Sequence, residues 1–148
     1  MTAVAPLLAT GHIGLNVTDL GRSVDFYRRA LGFDLLGGAD HFAFLGVEGE
    51  LRLTLWQQSA GAFSAESPGL HHLSFQVVNL DQVRAVETVL RELGVDLVHE
   101  GVVAHREGAA SGGIFFTDPD GIRLEVYAPT GAQDAPAPYG EAPTCGFF

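Results

Sequence analysis

The chain is written twice, and that doubling constrains its fold more than any other feature. The stretch His12-Ile-Gly-Leu-Asn-Val-Thr-Asp-Leu20 aligns with His72-Leu-Ser-Phe-Gln-Val-Val-Asn-Leu80 sixty residues later, with His, Val and Leu identical and Asn16 opposite Gln76. Leu31-Gly-Phe-Asp-Leu35 then aligns with Leu93-Gly-Val-Asp-Leu97, and the halves close on similar segments, Leu51-Arg-Leu-Thr-Leu-Trp56 and Ile122-Arg-Leu-Glu-Val-Tyr127. A duplicated and fused unit predicts two equivalent structural modules rather than one irregular domain.

Periodicity runs in the same order in each half. The opening segments alternate with period two, as strands do. A helix follows, with Ser23 as its expected N-cap, Val24, Tyr27 and Leu31 on one face and Gly32 at the left-handed C-terminal position. In the second half Asp81 is the expected cap, Val83, Val86, Leu90 and Leu93 form the stripe, and Gly94 closes it. Three strands follow in each half, at 33–38, 41–47 and 51–57, then at 95–100, 112–117 and 122–128, with Asp118-Pro-Asp-Gly121 a strong turn signal between the last two. Each half therefore reads βαβββ, and the chain is an α+β protein divided at 1–67, 68–128 and a Pro/Gly/Ala-rich C-terminal tail, 129–148. Phe147 and Phe148 end that tail, and the expectation is that they dock on the body or on a second chain, with simple disorder the alternative.

Strand alternation sorts the side chains. Ile13, Leu15 and Val17 form an apolar face and leave His12, Gly14 and Asn16 opposite; Leu73, Phe75 and Val77 leave His72, Ser74 and Gln76. On the closing strands, Arg52, Thr54 and Trp56 oppose Leu51, Leu53 and Leu55, and Arg123, Glu125 and Tyr127 oppose Leu124 and Val126. These second faces carry His, Asn, Gln, Ser, Thr and Arg with Trp and Tyr, which resembles the lining of a concave site more than a plain solvent surface. Two imidazoles at equivalent repeat positions and one carboxylate on a neighbouring strand can hold a divalent metal with open positions. His12, His72 and Glu125 are therefore the candidate ligands. Alternation places His71 on the other face, and His41, His99 and His105 have no repeat partner.

Charge and composition exclude several classes. The 148 residues carry 18 acids against 8 bases, a net charge of −10. That charge repels phosphate backbones and anionic lipid, so nucleic acid and membrane are unexpected partners and a small molecule is the expected one. All the bases are Arg. Without Lys there is no Schiff-base chemistry and no P-loop. The single Cys145 permits no intrachain disulfide and fits a reducing cytoplasm, and no secretory or membrane-spanning segment is expected.

With these residues in view, the chain resembles the vicinal oxygen chelate superfamily, the glyoxalase/bleomycin resistance/dioxygenase group. The resemblance spans about residues 10 to 128 and is carried by Gly11–Val17, Ser23–Phe33, His72–Val77 and Phe116–Val126. It implies two βαβββ modules curving into a cup-shaped, barrel-like sheet around a metal, often in a homodimer whose cups can be shared between chains. It also implies that His12, His72 and Glu125 are the ligands, of Fe(II) by preference, with Mn(II), Zn(II) and Ni(II) accepted by the same set.

Within that superfamily the departures narrow the chemistry. Thr54 stands where members resembling glyoxalase I place a fourth, carboxylate ligand, and the epimerases' Gln is missing there too. Members that modify fosfomycin share the His, His, Glu pattern but rely on a cationic pocket with Lys, for which Arg52, Arg106 and Arg123 substitute only in part. Extradiol dioxygenases use two His and one Glu at similar spacing, although Phe115 stands where they carry Tyr, and His105 would have to supply the acid/base group. The expected lining is Asn16, Phe44, Arg52, Thr54, Trp56, Gln76, Phe115, Arg123 and Tyr127. The favoured expectation is a metal-dependent oxygenase acting on a small aromatic substrate. The alternative is a resistance protein that sequesters a drug in the same cup.

Overall fold

The computed structural model describes residues 3–148. The first module runs β1 (Ile13–Val17), α1 (Leu20–Leu31), β2 (Asp34–Ala39), β3 (Phe42–Val47) and β4 (Glu50–Gln57). The second runs β5 (Leu73–Gln76), α2 (Leu80–Glu92), β6 (Val103–Ala104), β7 (Gly112–Thr117) and β8 (Arg123–Ala128), and a short 3-10 turn (Thr144–Gly146) follows. The two sheets have the same order, β1-β4-β3-β2 and β5-β8-β7-β6. In each, the opening strand lies parallel to the closing one and the remaining pairs are antiparallel. Two βαβββ modules are therefore present, as the repeat predicts.

Three local expectations are corrected. Asp19, not Ser23, caps α1 by accepting a hydrogen bond from the Arg22 N–H. Ser23 lies one turn inside, buried, where its hydroxyl has no partner. Asn79 rather than Asp81 caps α2, accepting from the Gln82 N–H. In both cases the short polar residue just before the apolar stripe wins, because only there does its side chain reach the free N–H groups of the first turn. The strand expected at 95–100 is irregular, and pairing resumes only at Val103 and Ala104.

Both sheets press their apolar faces into one continuous core. Leu15, Val17, Leu53 and Leu55 meet Phe26, Tyr27 and Ala30 of α1, and Leu73, Ile114, Phe116, Leu124 and Val126 meet Val83 and Leu90 of α2. The modules touch through aromatic pairs, Phe33 on Phe75 at 5.5 Å and Phe26 on Phe116 at 6.5 Å between ring centres. A buried polar bond also crosses between them: the Tyr27 hydroxyl of α1 donates to Asp118 Oδ2 at 2.9 Å in the turn between β7 and β8.

Burial first, and then the charge and hydrogen bond of Asp118, push the Tyr27 phenol well above its ordinary value of 10.0. The folded chain thus keeps a proton that the unfolded chain releases in alkali. This contribution to stability is complete below pH 10.0 and is lost as pH rises from there toward the folded value. The expected result is a melting temperature that falls steeply above that pH, with a shallower fall in Tyr27→Phe, read by thermal melts across an alkaline series.

Candidate metal and ligand site

The second sheet assembles the denser cluster. Parallel pairing of β5 with β8 sets Ser74 beside Glu125, and antiparallel pairing with β7 sets Phe115 on Glu125's other side. Glu125 is only 3% exposed. Its Oε1 accepts from the Ser74 hydroxyl at 2.7 Å, and its Oε2 lies 2.6 Å from His105 Nε2. The other ring nitrogen of His105 meets the Ser111 hydroxyl at 2.7 Å. The only ion-pair partner of Glu125 among the described residues is His105; no Arg lies in range. A carboxylate removed from water needs a positive partner, so this arrangement leaves room for a cation.

His72 stands just before β5. Burial pushes its imidazole below the ordinary value, and the Glu125 charge opposes that shift, so the two groups sense each other. A neutral imidazole is the form that ligates metals. His71 departs from the expected opposite face: its Nδ1 lies 2.8 Å from His72 Nδ1. Both residues precede the first paired residue of β5, Leu73, so strand alternation does not govern them.

His12 lies elsewhere. It is exposed at the start of β1, on the first sheet, and makes no hydrogen bond or ion pair with His72 or Glu125. Among the described residues of one chain, no group of three or more His, Cys, Asp or Glu is placed to hold a metal ion. β1 and β5 are the outer strands of their sheets, so each keeps a free edge.

The expected lining residues divide between the sheets. On the first, Trp56 stacks on Phe42 at 5.4 Å and stands edge-on to Phe44 at 6.2 Å, while its indole N–H donates to Thr54 Oγ1 at 2.9 Å. Gly14, paired with Thr54, keeps the space above them open, since a Cβ there would sit 3.1 Å from Thr54 Oγ1. Asn16 Oδ1 accepts from the Gln58 N–H, and Arg52 pairs with Glu50 at 2.8 Å. On the second sheet the Tyr127 hydroxyl donates to Gln76 Oε1 at 2.9 Å, and the Tyr127 ring lies 5.1 Å from that of His105. Arg123 reaches toward His71. A cavity of about 470 Å³, bordered by Gly11, Ile13, Phe33, Arg52, Ser74 and Gln76, lies between the modules beside these faces.

Sequence reasoning missed two contributors. Phe42 shares the face of Phe44 by alternation along β3, a signal that was available, whereas Ser111 comes from a loop, for which no periodicity exists. Phe148, expected to dock on the body or on a second chain, packs its ring on Phe115 and His72.

A sequence model of the Glyoxalase/Bleomycin resistance protein/Dioxygenase superfamily matches residues 9–126. The chain belongs to that superfamily. Among other superfamily proteins, it is 28% identical over 135 residues to a catechol-2,3-dioxygenase of Bacillus subtilis, covering 86% of this chain but 44% of that protein. It thus spans less than half the length of that relative. It is 27% identical to the metallothiol transferase FosB of Staphylococcus epidermidis, covering 84% of each. The crystal structure of a superfamily domain from Frankia sp. EAN1pec superposes with a TM-score of 0.71 at 27% identity, covering 84% of this chain and 99% of that one. The superfamily's two-module fold is therefore this chain's fold. Its individual chemistries are not distinguished at these identities.

Proposed function

We propose that this protein is a divalent-metal-dependent enzyme that takes a small aromatic substrate with two neighbouring oxygens, with extradiol-dioxygenase-like ring opening as its chemistry. The observation that carries this reading is the buried Glu125 carboxylate beside His72, held at both oxygens and lacking any Arg partner among the described residues. His72 and Glu125 would hold the metal, Fe(II) by preference with Mn(II), Zn(II) or Ni(II) as alternatives, and His12 of a second copy would complete the set across the free edges of β1 and β5. The cup is then shared in a homodimer. When bound, the metal supplies a Lewis acid that draws charge from the two substrate oxygens.

The chain's own side chains orient and enclose. Ser74 and His105 fix the carboxylate so that it does not rotate, the supporting role that outer partners play around metal ligands. In this arrangement both ring nitrogens of His105 are engaged, Nε2 by Glu125 and Nδ1 by Ser111, so His105 serves the ligand first. Thr54 holds Trp56 upright and Gln76 holds Tyr127, so the polar lining positions aromatic walls. Trp56, Phe44, Phe115 and Tyr127 present those walls to a flat ring, while Asn16, Arg52 and Arg123 supply polar contacts at the rim.

Oxygen uptake by Fe(II)-loaded protein across a panel of catechols tests the reading. The expected result is uptake matched one for one by ring-opened product for at least one catechol. The alternative is a protein that sequesters a cationic drug, favoured by the net charge of −10. No uptake with any catechol, together with drug binding that survives metal removal, selects that alternative. No helix among the described residues is long and apolar enough to cross a membrane. With its single cysteine, the protein suits the cytoplasm in either reading.

A further inference from the structure

The tail is not a loose end. The Ala104 N–H donates to the Pro136 carbonyl, the Glu107 N–H to the Gly140 carbonyl and the Thr144 N–H to the His105 carbonyl, at 2.8, 2.7 and 2.8 Å. The Thr144 side chain has no exposure and donates to the Ala104 carbonyl at 2.7 Å. These bonds pin residues 136–144 along β6 and the turn that carries His105.

Beyond Thr144 the attachment changes in kind. The remaining backbone bonds are local, and Phe147 bonds only within the tail, its carbonyl accepting from the Tyr139 hydroxyl. Phe148 is held by its ring alone. That ring stands edge-on to Phe115 at 5.1 Å, to His72 at 5.6 Å and to His71 at 6.4 Å, with the Arg123 guanidinium carbon 5.7 Å from its centre. Phe115 is the strand neighbour of Glu125, and His72 is the candidate ligand, so the ring lies across the candidate site. Cys145, three residues earlier, sits in the 3-10 turn Thr144–Gly146, and its thiol is pushed up by burial and then by the charge of Glu125.

We propose that Phe148 is an internal occupant of an aromatic subsite: three neighbouring rings and a guanidinium define a slot for one electron-rich six-membered ring, and Phe148 fills it until a phenolic ligand displaces it. The contacts suit such an exchange. Edge-to-face pairing and a cation over a ring face recognise any aromatic ring and are individually weak. The anchor at Thr144 keeps the displaced ring close, so it recloses when the ligand leaves. The proposal rests on the aromatic-ligand reading of the site for its ligand class, but not on the metal or on ring opening.

The test uses the full chain freed of metal with a chelator, and phenol as probe, because phenol fills a ring slot without presenting vicinal oxygens. Phenol affinity is measured calorimetrically, and alkylation of Cys145, the only cysteine, by N-ethylmaleimide reports on the turn. In the wild type, phenol is expected to raise the Cys145 alkylation rate with saturation. In Phe148→Ala, phenol is expected to bind about tenfold tighter, the scale of the ring contacts no longer competing, and Cys145 is expected to react quickly without phenol. Phe147→Ala, which removes an exposed ring packed on Tyr139, is expected to leave phenol affinity unchanged. Weaker or unchanged phenol binding in Phe148→Ala, or protection of Cys145 by phenol, overturns the proposal. Should neither protein bind phenol while Fe(II)-loaded enzyme consumes catechol, the subsite falls and the oxygenase reading stands. Should phenol displace Phe148 while no catechol is consumed, the subsite stands and the oxygenase reading falls.

Discussion

Glu125→Gln is expected to strip the purified protein of divalent metal and, with it, of oxygen uptake. The substitution keeps shape and one acceptor oxygen for Ser74 but removes the only buried negative charge on this face that can ligate a cation. Loss of a ligand exceeds loss of a supporting partner, which costs about 10- to 100-fold in metal affinity. That smaller loss is expected for Ser74→Ala, so the two variants rank the roles. The metal-free Glu125→Gln protein is expected to melt close to the metal-free wild type, because relief from burying a carboxylate offsets the weakened pairing with His105. Metal analysis of the purified proteins, with calorimetric melts of the chelated forms, checks both statements. Unchanged metal content in Glu125→Gln overturns the ligand assignment.

Asp118→Ala is the largest expected loss of stability. Its Oδ1 accepts the backbone N–H groups of Asp120 and Ile122, both at 2.9 Å, and its Oδ2 accepts the Tyr27 hydroxyl. Truncation leaves two backbone donors and a buried phenol without partners at once. Each such orphan costs about 1–3 kcal/mol, and with partial relaxation the total is about 3–5 kcal/mol. A domain of this size has only about 5–15 kcal/mol to lose. Because Tyr27 belongs to the first module and Asp118 to the second, the loss also loosens their junction. Denaturant unfolding is expected to show a midpoint shift of that size for Asp118→Ala and a smaller one for Asp118→Asn, which keeps an acceptor and removes the charge that burial disfavours.

The position of Glu125 was legible from period two, because once β5 and β8 are strands Ser74 and Glu125 share a face; His72 was legible from the repeat, which sets it opposite His12, since it stands one residue before β5. What alternation could not supply was the company Glu125 keeps. His105 reaches it from a turn after a two-residue strand, and Ser111 braces His105 from the start of the returning chain. The same limit explains His71, whose side chain follows loop geometry and so joins His72. The irregular run at 95–102 shows the converse. Its apolar alternation suggests a strand, but a single backbone bond, from the Val98 N–H to the Phe115 carbonyl of β7, ties it to the sheet, and ladder pairing begins only at Val103.

The sequence by itself determined the doubled βαβββ architecture, the apolar faces and the candidate donor types, because repeats and periodicities are local and survive without knowledge of neighbours. Only the tertiary structure decided which donors meet. It brings Glu125, His105 and His72 onto one sheet, leaves His12 on another, and lays the ring of Phe148 across the site. These are contacts between segments far apart in the chain, set by how two sheets share one core and where free edges remain, and no pattern within a single strand encodes them.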